Sequence, residues 1–215
     1  MNSRTTPPGP PAAVAGRSEA PLLNIANALT VVRLVLVPVF IWLMFRSGDA
    51  VRLVAALVFA LAAATDRLDG QLARSRNLVT SFGKIADPIA DKALTLSAFV
   101  LLSVAGRLWW WVTVLIIVRE LGITLMRFVM LRRAVMAASR GGKLKTALQV
   151  TGIFGLLVPW AAFVPPVLAT ALDLAAYALV GSALVVTLVT GADYVSVSFF
   201  SMSEILLPIL ILSEV

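Results

Sequence analysis

The sequence predicts an all-α integral membrane protein: a bundle of six transmembrane helices with an N-terminal interfacial amphipathic helix. Three observations predict it. Of the 215 residues, 60% are hydrophobic and only 13% are charged, and the mean hydropathy of +0.97 is one that no ordinary soluble domain shows. Apolar runs recur along the chain, separated by short polar segments. The basic residues are also unevenly shared: segments 66–92 and 132–145 carry five each, whereas the three loops expected on the other side carry only Arg46, Arg52 and Arg107. That bias puts the two basic segments on the cytoplasmic face of a plasma membrane, with both chain ends on the same side.

Residues 1–21 form a Pro/Gly/Ala-rich run with no continuous apolar core, expected as a disordered cytoplasmic tail and not as a signal peptide. The membrane domain is expected over residues 22–194. It opens with an amphipathic stretch, 24–33, that leads into the apolar run 34–45 and suits an interfacial helix bending into the first span. Arg33, at the junction, either snorkels to lipid headgroups or meets a substrate phosphate. The second span, 51–65, would be only about 22 Å long against a hydrocarbon core of about 30 Å. Its helix must therefore continue through Asp66 and Asp69. The third span, 93–105, is equally short and begins just after Asp91, so the acids before it lie at a matching depth.

Trp109, Trp110 and Trp111 form an aromatic anchor at the opposite interface. The fourth span, 110–131, carries Arg119, Glu120 and Arg127 among apolar residues. Charges there are expensive, so each is expected to face a polar cavity or another charge. Arg119 and Glu120 are adjacent and point in different directions, which calls for a second partner for each. In the basic segment that follows, Gly141-Gly142 reads as a flexible joint. The fifth span is expected over 144–164, closed by Pro165-Pro166, and the sixth over 167–189. Residues 195–215 form a C-terminal tail whose run 205–212 is too short to span; it is expected on the surface or loosely ordered.

The chemistry concentrates between Asp66 and Asp91. Asp66 and Asp69 are three apart and Asp87 and Asp91 four apart, so each pair occupies one face of its own helix. The segment between them, ending at Gly83, suits a turn that brings the helices side by side. Four carboxylates gathered in a poorly hydrated place repel one another unless cations neutralise them, and two divalent cations would balance four acids. Oxygen-only ligation favours Mg²⁺ or Mn²⁺, and paired hard cations suit phosphoryl transfer. The chain has no histidine and no cysteine, which excludes disulfides, thiolate nucleophiles, His bases and a His nucleophile of the phospholipase D type. The net charge of +7 sits between apolar spans, so it marks topology and anionic lipid contact and not nucleic-acid binding.

The stretch from Asp66 to Asp91 matches position for position the signature of the CDP-alcohol phosphatidyltransferases, D-x2-D-G-x2-A-R-x8-G-x3-D-x3-D, and its eight fixed residues make the chain resemble that family specifically. The N-terminal stretch, the Arg119-Glu120 pair and the run from Gly142 through Lys143 and Lys145 to Thr146 resemble those of phosphatidylglycerophosphate synthases within it. The resemblance implies that a CDP-linked lipid, CDP-diacylglycerol, binds at the acid cluster, through Asp66, Asp69, Gly70, Ala73 and Arg74. It implies that Asp66, Asp69, Asp87 and Asp91 coordinate the metals, that Asp91 doubles as general base, and that the enzyme is a homodimer. Gly70 and Ala73 let a nucleotide or a helix approach closely. Arg74 either neutralises the CDP phosphates or holds the Asp side chains, the first being favoured.

The favoured acceptor is sn-glycerol 3-phosphate, held by Arg119, Lys143 and Lys145. Inositol phosphate, giving a phosphatidylinositol phosphate synthase, and phosphatidylglycerol, giving a cardiolipin synthase, are the alternatives within the family. A divalent-cation transporter is the alternative from another class, because clustered intramembrane acids also mark ion pathways. It ranks lower: transport sites lie near the midplane, and Gly70, Ala73 and Arg74 have no evident place in one. Gly152 and Gly155 either line the dimer interface or pack within the bundle.

Overall fold

In the computed structural model, residues 25–75, 81–130 and 140–212 are described. Six α-helices follow in order: α1 (Ile25–Met44), α2 (Asp49–Ser75), α3 (Ser81–Val104), α4 (Trp110–Met130), α5 (Arg140–Leu157) and α6 (Pro166–Leu212). There is no strand among the described residues. One segment, Pro166–Gly191, is long and apolar enough by length and composition to cross a membrane; the apolar parts of α1 and α5, Ala28–Met44 and Leu144–Leu157, are shorter. In α2, α3 and α4, charged residues share the helix with the apolar run.

Helix α1 runs unbroken through the junction where a bend is expected, because nothing between Asn27 and Leu34 breaks a helix; Pro38 lies further on, within the apolar part. Its residues Thr30, Arg33, Val37 and Phe40 are buried at spacings of three and four, one face of the helix. Arg33 is fully buried. Snorkelling to headgroups is therefore ruled out for it: the guanidinium points into the bundle.

That face packs against α2 and α3. On α2, Ala55, Ala56, Phe59 and Ala62 are fully buried, and the rings of Phe40 and Phe59 lie 5.7 Å apart across the seam, tilted by 49°. Alanines at this seam let the helices come close. The turn between α1 and α2 places Gly48 at φ +111°, a conformation that side chains other than hydrogen rarely adopt. The end of α3 is a Schellman cap: Arg107 N–H donates to Leu102 C=O and Gly106 N–H to Ser103 C=O, with Gly106 at φ +67°.

The centre of the bundle is filled by Leu94, Ala98, Phe99 and Leu102 of α3 with Ile153, Leu156 and Leu157 of α5. Ser103 and Thr113 share a buried hydrogen bond of 2.6 Å between α3 and α4. Helix α5 begins at Arg140, so Gly141 and Gly142 lie inside it and form no flexible joint. It ends at Leu157 and not at 164, since Pro159 cannot continue it; a single 3-10 turn, Trp160–Ala162, leads to α6. Pro166 opens α6, where its missing N–H costs nothing. Helix α6 then continues for 47 residues, so the run 205–212 belongs to one helix with the sixth apolar segment.

Gly152 and Gly155 answer the question their sequence left open. A Cβ on Gly152 would lie 2.8 Å from Val180 Cγ2 and 3.0 Å from Val180 N, and one on Gly155 would lie 2.7 Å from Ala176 Cβ. Both glycines seat α5 against α6 inside the bundle. Outside it, Trp42, Leu61, Val118, Leu125 and Leu174 are all exposed. In water such an apolar surface would be a liability; lipid is the solvent it suits.

Candidate active site

The C-terminal third of α2 carries Asp66, Asp69, Gly70, Ala73 and Arg74, and the first turns of α3 carry Asp87 and Asp91. Both stretches are helical, as the shortness of the second and third spans requires. Asp66 and Asp69 therefore share one face of α2, Asp87 and Asp91 share one face of α3, and the two helices pack together. The reversing segment 76–80 lies outside the described residues. An oxygen-only set of side chains of this kind is chemically suited to hard divalent cations.

Asp91 is half-buried, and Thr95, one turn on, caps its backbone: Thr95 Oγ1 donates to the carbonyl of Asp91 at 3.0 Å. The next residue, Lys92, reaches across to α4, where its Nζ is 3.4 Å from Glu120 Oε2. Glu120 is the centre of a second polar group. Lys145 of α5, buried, pairs with Glu120 Oε1, and Arg119 Nη1 lies 3.5 Å from the same oxygen. Arg119 also donates from Nε to the carbonyl of Thr187 at 2.9 Å and from Nη2 to Thr190 Oγ1 at 2.7 Å, both on α6. Gly191 lies beside the Arg119 side chain, where even a Cβ would be in ordinary contact at 3.5 Å.

Arg119 and Glu120 do pair with each other, and each has the second partner that its place in an apolar helix demands. The structure thus brings together Arg119 and Lys145, two of the three residues expected to hold an acceptor phosphate. Lys143 stands two positions before Lys145 in the first turn of α5. Asp91 lies within electrostatic reach of Lys145, which joins the two polar groups.

This geometry can be set beside known proteins. Residues 23–189 match the family model described as CDP-alcohol phosphatidyltransferase.

The chain belongs to that family.

CDP-alcohol phosphatidyltransferases are membrane-associated and generally depend on a divalent metal. Among relatives, the chain is 49% identical over 186 residues to "Probable phosphatidylglycerophosphate synthase" of Mycobacterium tuberculosis, covering 85% of this chain and 84% of that protein. It is 35% identical over 150 residues to a CDP-diacylglycerol–glycerol-3-phosphate 3-phosphatidyltransferase of Bacillus subtilis, covering 64% and 78%. A protein of the same name from Rickettsia typhi is 39% identical over 136 residues, covering 63% and 76%.

Sequence reasoning singled out Arg119 and Lys145 but not Lys92, Thr187 or Thr190 as their neighbours. Lys92 follows a candidate ligand directly, which is a usable signal. Thr187 and Thr190 sit in an apolar helix and give none.

Proposed function

We propose that this chain transfers a phosphatidyl group from CDP-diacylglycerol to sn-glycerol 3-phosphate, giving phosphatidylglycerophosphate and CMP. The family membership and the names of its relatives support this reading. The structural observation that carries it is the meeting of Arg119 and Lys145 around Glu120, in electrostatic reach of Asp91. It supports a reading in which these cations serve the acceptor phosphate and Asp91 serves the acceptor hydroxyl.

Asp66, Asp69, Asp87 and Asp91 would hold the divalent cations, Mg²⁺ or Mn²⁺ and two in number, whose chemistry there would be to offset negative charge on phosphate oxygens. Arg74, one turn beyond Gly70, neutralises the CDP phosphates, while Gly70 and Ala73 leave room for the nucleotide. Arg119, Lys143 and Lys145 hold the acceptor phosphate. Asp91 accepts the proton of the acceptor hydroxyl as its oxygen bonds to the phosphorus that bears the diacylglycerol oxygen; the bond from that phosphorus to CMP breaks, and CMP leaves with the electron pair. With no histidine in the chain, an Asp is the natural candidate for the base.

The catalytic domain spans 22–194 as six membrane-crossing helices, with the acids and the 132–145 segment on the cytoplasmic side. Two copies form the working unit, in contact through surfaces other than Gly152 and Gly155.

The test is CMP release from CDP-diacylglycerol by the purified chain with Mg²⁺, comparing glycerol 3-phosphate, inositol phosphate and phosphatidylglycerol. Release with glycerol 3-phosphate alone is expected. Release only with another acceptor overturns the acceptor assignment, and release with none overturns the transferase reading.

A further inference from the structure

Helix α5 turns one stripe of side chains inward. Lys145, Gln149, Ile153 and Leu156 are all buried, at successive spacings of four, four and three along the helix. Lys145 ends in the polar group around Glu120, while Ile153 and Leu156 belong to the apolar core. Gln149 stands at the boundary, the last polar residue on the stripe before the core begins.

Other buried polar side chains have partners within the protein: Thr65 donates to the carbonyl of Leu61, Thr95 to that of Asp91, and Lys145 pairs with Glu120. Gln149 differs. It is only 5% exposed, and its amide has no hydrogen-bond partner among the described residues. An amide offers an N–H donor and a carbonyl acceptor together, and leaving both unmatched in so buried a place is costly. The amide is not closed off, however, since the sealed polar atoms that lack a hydrogen bond belong to other residues. Side chains on an α-helix lean towards its N-terminal end, which for Gln149 is towards Lys145, one turn or about 6 Å away along the axis. The unmatched amide is thus carried beside the cations proposed for the acceptor phosphate, on their core side.

We infer that Gln149 is a specificity-determining residue whose amide hydrogen-bonds the acceptor hydroxyl that the reaction leaves free. This rests on the acceptor reading proposed above. Glycerol 3-phosphate presents a phosphate, a hydroxyl that attacks, and a second hydroxyl on its middle carbon. In that reading the cations serve the phosphate and Asp91 the attacking hydroxyl. The middle hydroxyl both donates and accepts, as an amide does, whereas ammonium and guanidinium groups only donate.

The experiment is steady-state CMP release by the full chain in lipid vesicles, comparing glycerol 3-phosphate with 3-hydroxypropyl phosphate, which keeps the phosphate and the attacking hydroxyl and lacks the middle one. The unsubstituted chain is expected to favour glycerol 3-phosphate about twentyfold in kcat/KM. Gln149→Met, similar in length but apolar, is expected to lower kcat/KM for glycerol 3-phosphate about twentyfold and to leave that for 3-hydroxypropyl phosphate within about twofold, so that the preference vanishes. Without acceptor, its thermal unfolding midpoint should be no lower than that of the unsubstituted chain, because an unmatched amide has given way to an apolar group. A merely structural role would lower the midpoint and reduce kcat/KM for both acceptors together. That result, a preference that survives in Gln149→Met, or no preference in the unsubstituted chain overturns the inference. Should Gln149→Met not fold, Gln149→Leu decides by the same ratio, and if neither folds Gln149 is structural and the inference falls. Failure of the acceptor reading shows itself differently: the unsubstituted chain then releases CMP with neither of the two phosphates.

Discussion

Glu120 faces three cations, whereas Asp173, some way along α6 on the opposite side of the bundle, faces one. Arg107 Nη2 pairs with Asp173 at 2.7 Å, Tyr177 Oη donates to the carbonyl of Arg107 at 2.7 Å, and the Trp109 ring lies 5.9 Å from that of Tyr177. Arg52 and Asp49 lie close enough to act on each other, with Arg107 also acting on Arg52, and Arg46 of the turn between α1 and α2 stacks over the Trp42 ring. The two groups use the same kinds of side chain. Their setting differs: Glu120 gathers cations from three helices where the side chains are mostly buried, while Asp173 and Arg107 pair at a partly exposed edge.

That contrast can be broken or sharpened by substitution. The largest effect is expected from Asp91→Asn, which removes the proposed base; CMP release should fall about a thousandfold, while binding of CDP-diacylglycerol, read by titration, persists in part. Equal loss of binding and turnover would move Asp91 from base to ligand alone. Next comes Lys145→Met at the group around Glu120. It should raise the KM for glycerol 3-phosphate about tenfold, with Lys92 and Arg119 still left to hold Glu120.

Gly152→Ala acts on the frame between the two groups. It should cost about 1–3 kcal/mol in a chemical unfolding titration, since the new methyl meets the Val180 backbone, which cannot swing away. Asp173→Asn should do least. The pair is partly exposed, with side chains at 26% and 32%, so a stability loss below about 1 kcal/mol is expected, with both KM values unchanged. A shift in acceptor KM from Asp173→Asn would erase the distinction between the two ends.

How much of this was legible in the sequence varies with the range of the contacts. The helices that carry the acids were, because an apolar run too short to span has to continue as helix through Asp66 and Asp69. Arg119 and Glu120 were half legible: charge within an apolar run announces a polar surrounding but not its members. The group around Glu120 draws on positions 92, 120, 145 and 187, and only the packing of four helices brings these together. Arg33 shows the same limit. Its type and place at the start of an apolar run suited a headgroup contact, and only its alignment with Thr30, Val37 and Phe40 reveals that it faces inward. Gly152 and Gly155 carry the same small-residue signal whether the neighbour is a second copy or α6, so their partner had to come from the structure.

Helix α6 contributes to both groups, with Asp173 and Tyr177 near its start and Thr187 and Thr190 further on. At 1.5 Å per residue, Asp173 and Thr190 stand about 25 Å apart along its axis, somewhat less than a typical hydrocarbon core of about 30 Å. With the bundle across a bilayer as proposed, one rigid rod gauges the distance between the two polar levels. A thicker bilayer would pull water-facing groups of one end into oil or force the rod to tilt, each at a modest energy per ångström. Acyl-chain length would then enter the enzyme's behaviour twice, once through the lipid it consumes and once through the mismatch between this rod and the sheet of lipid that such chains build.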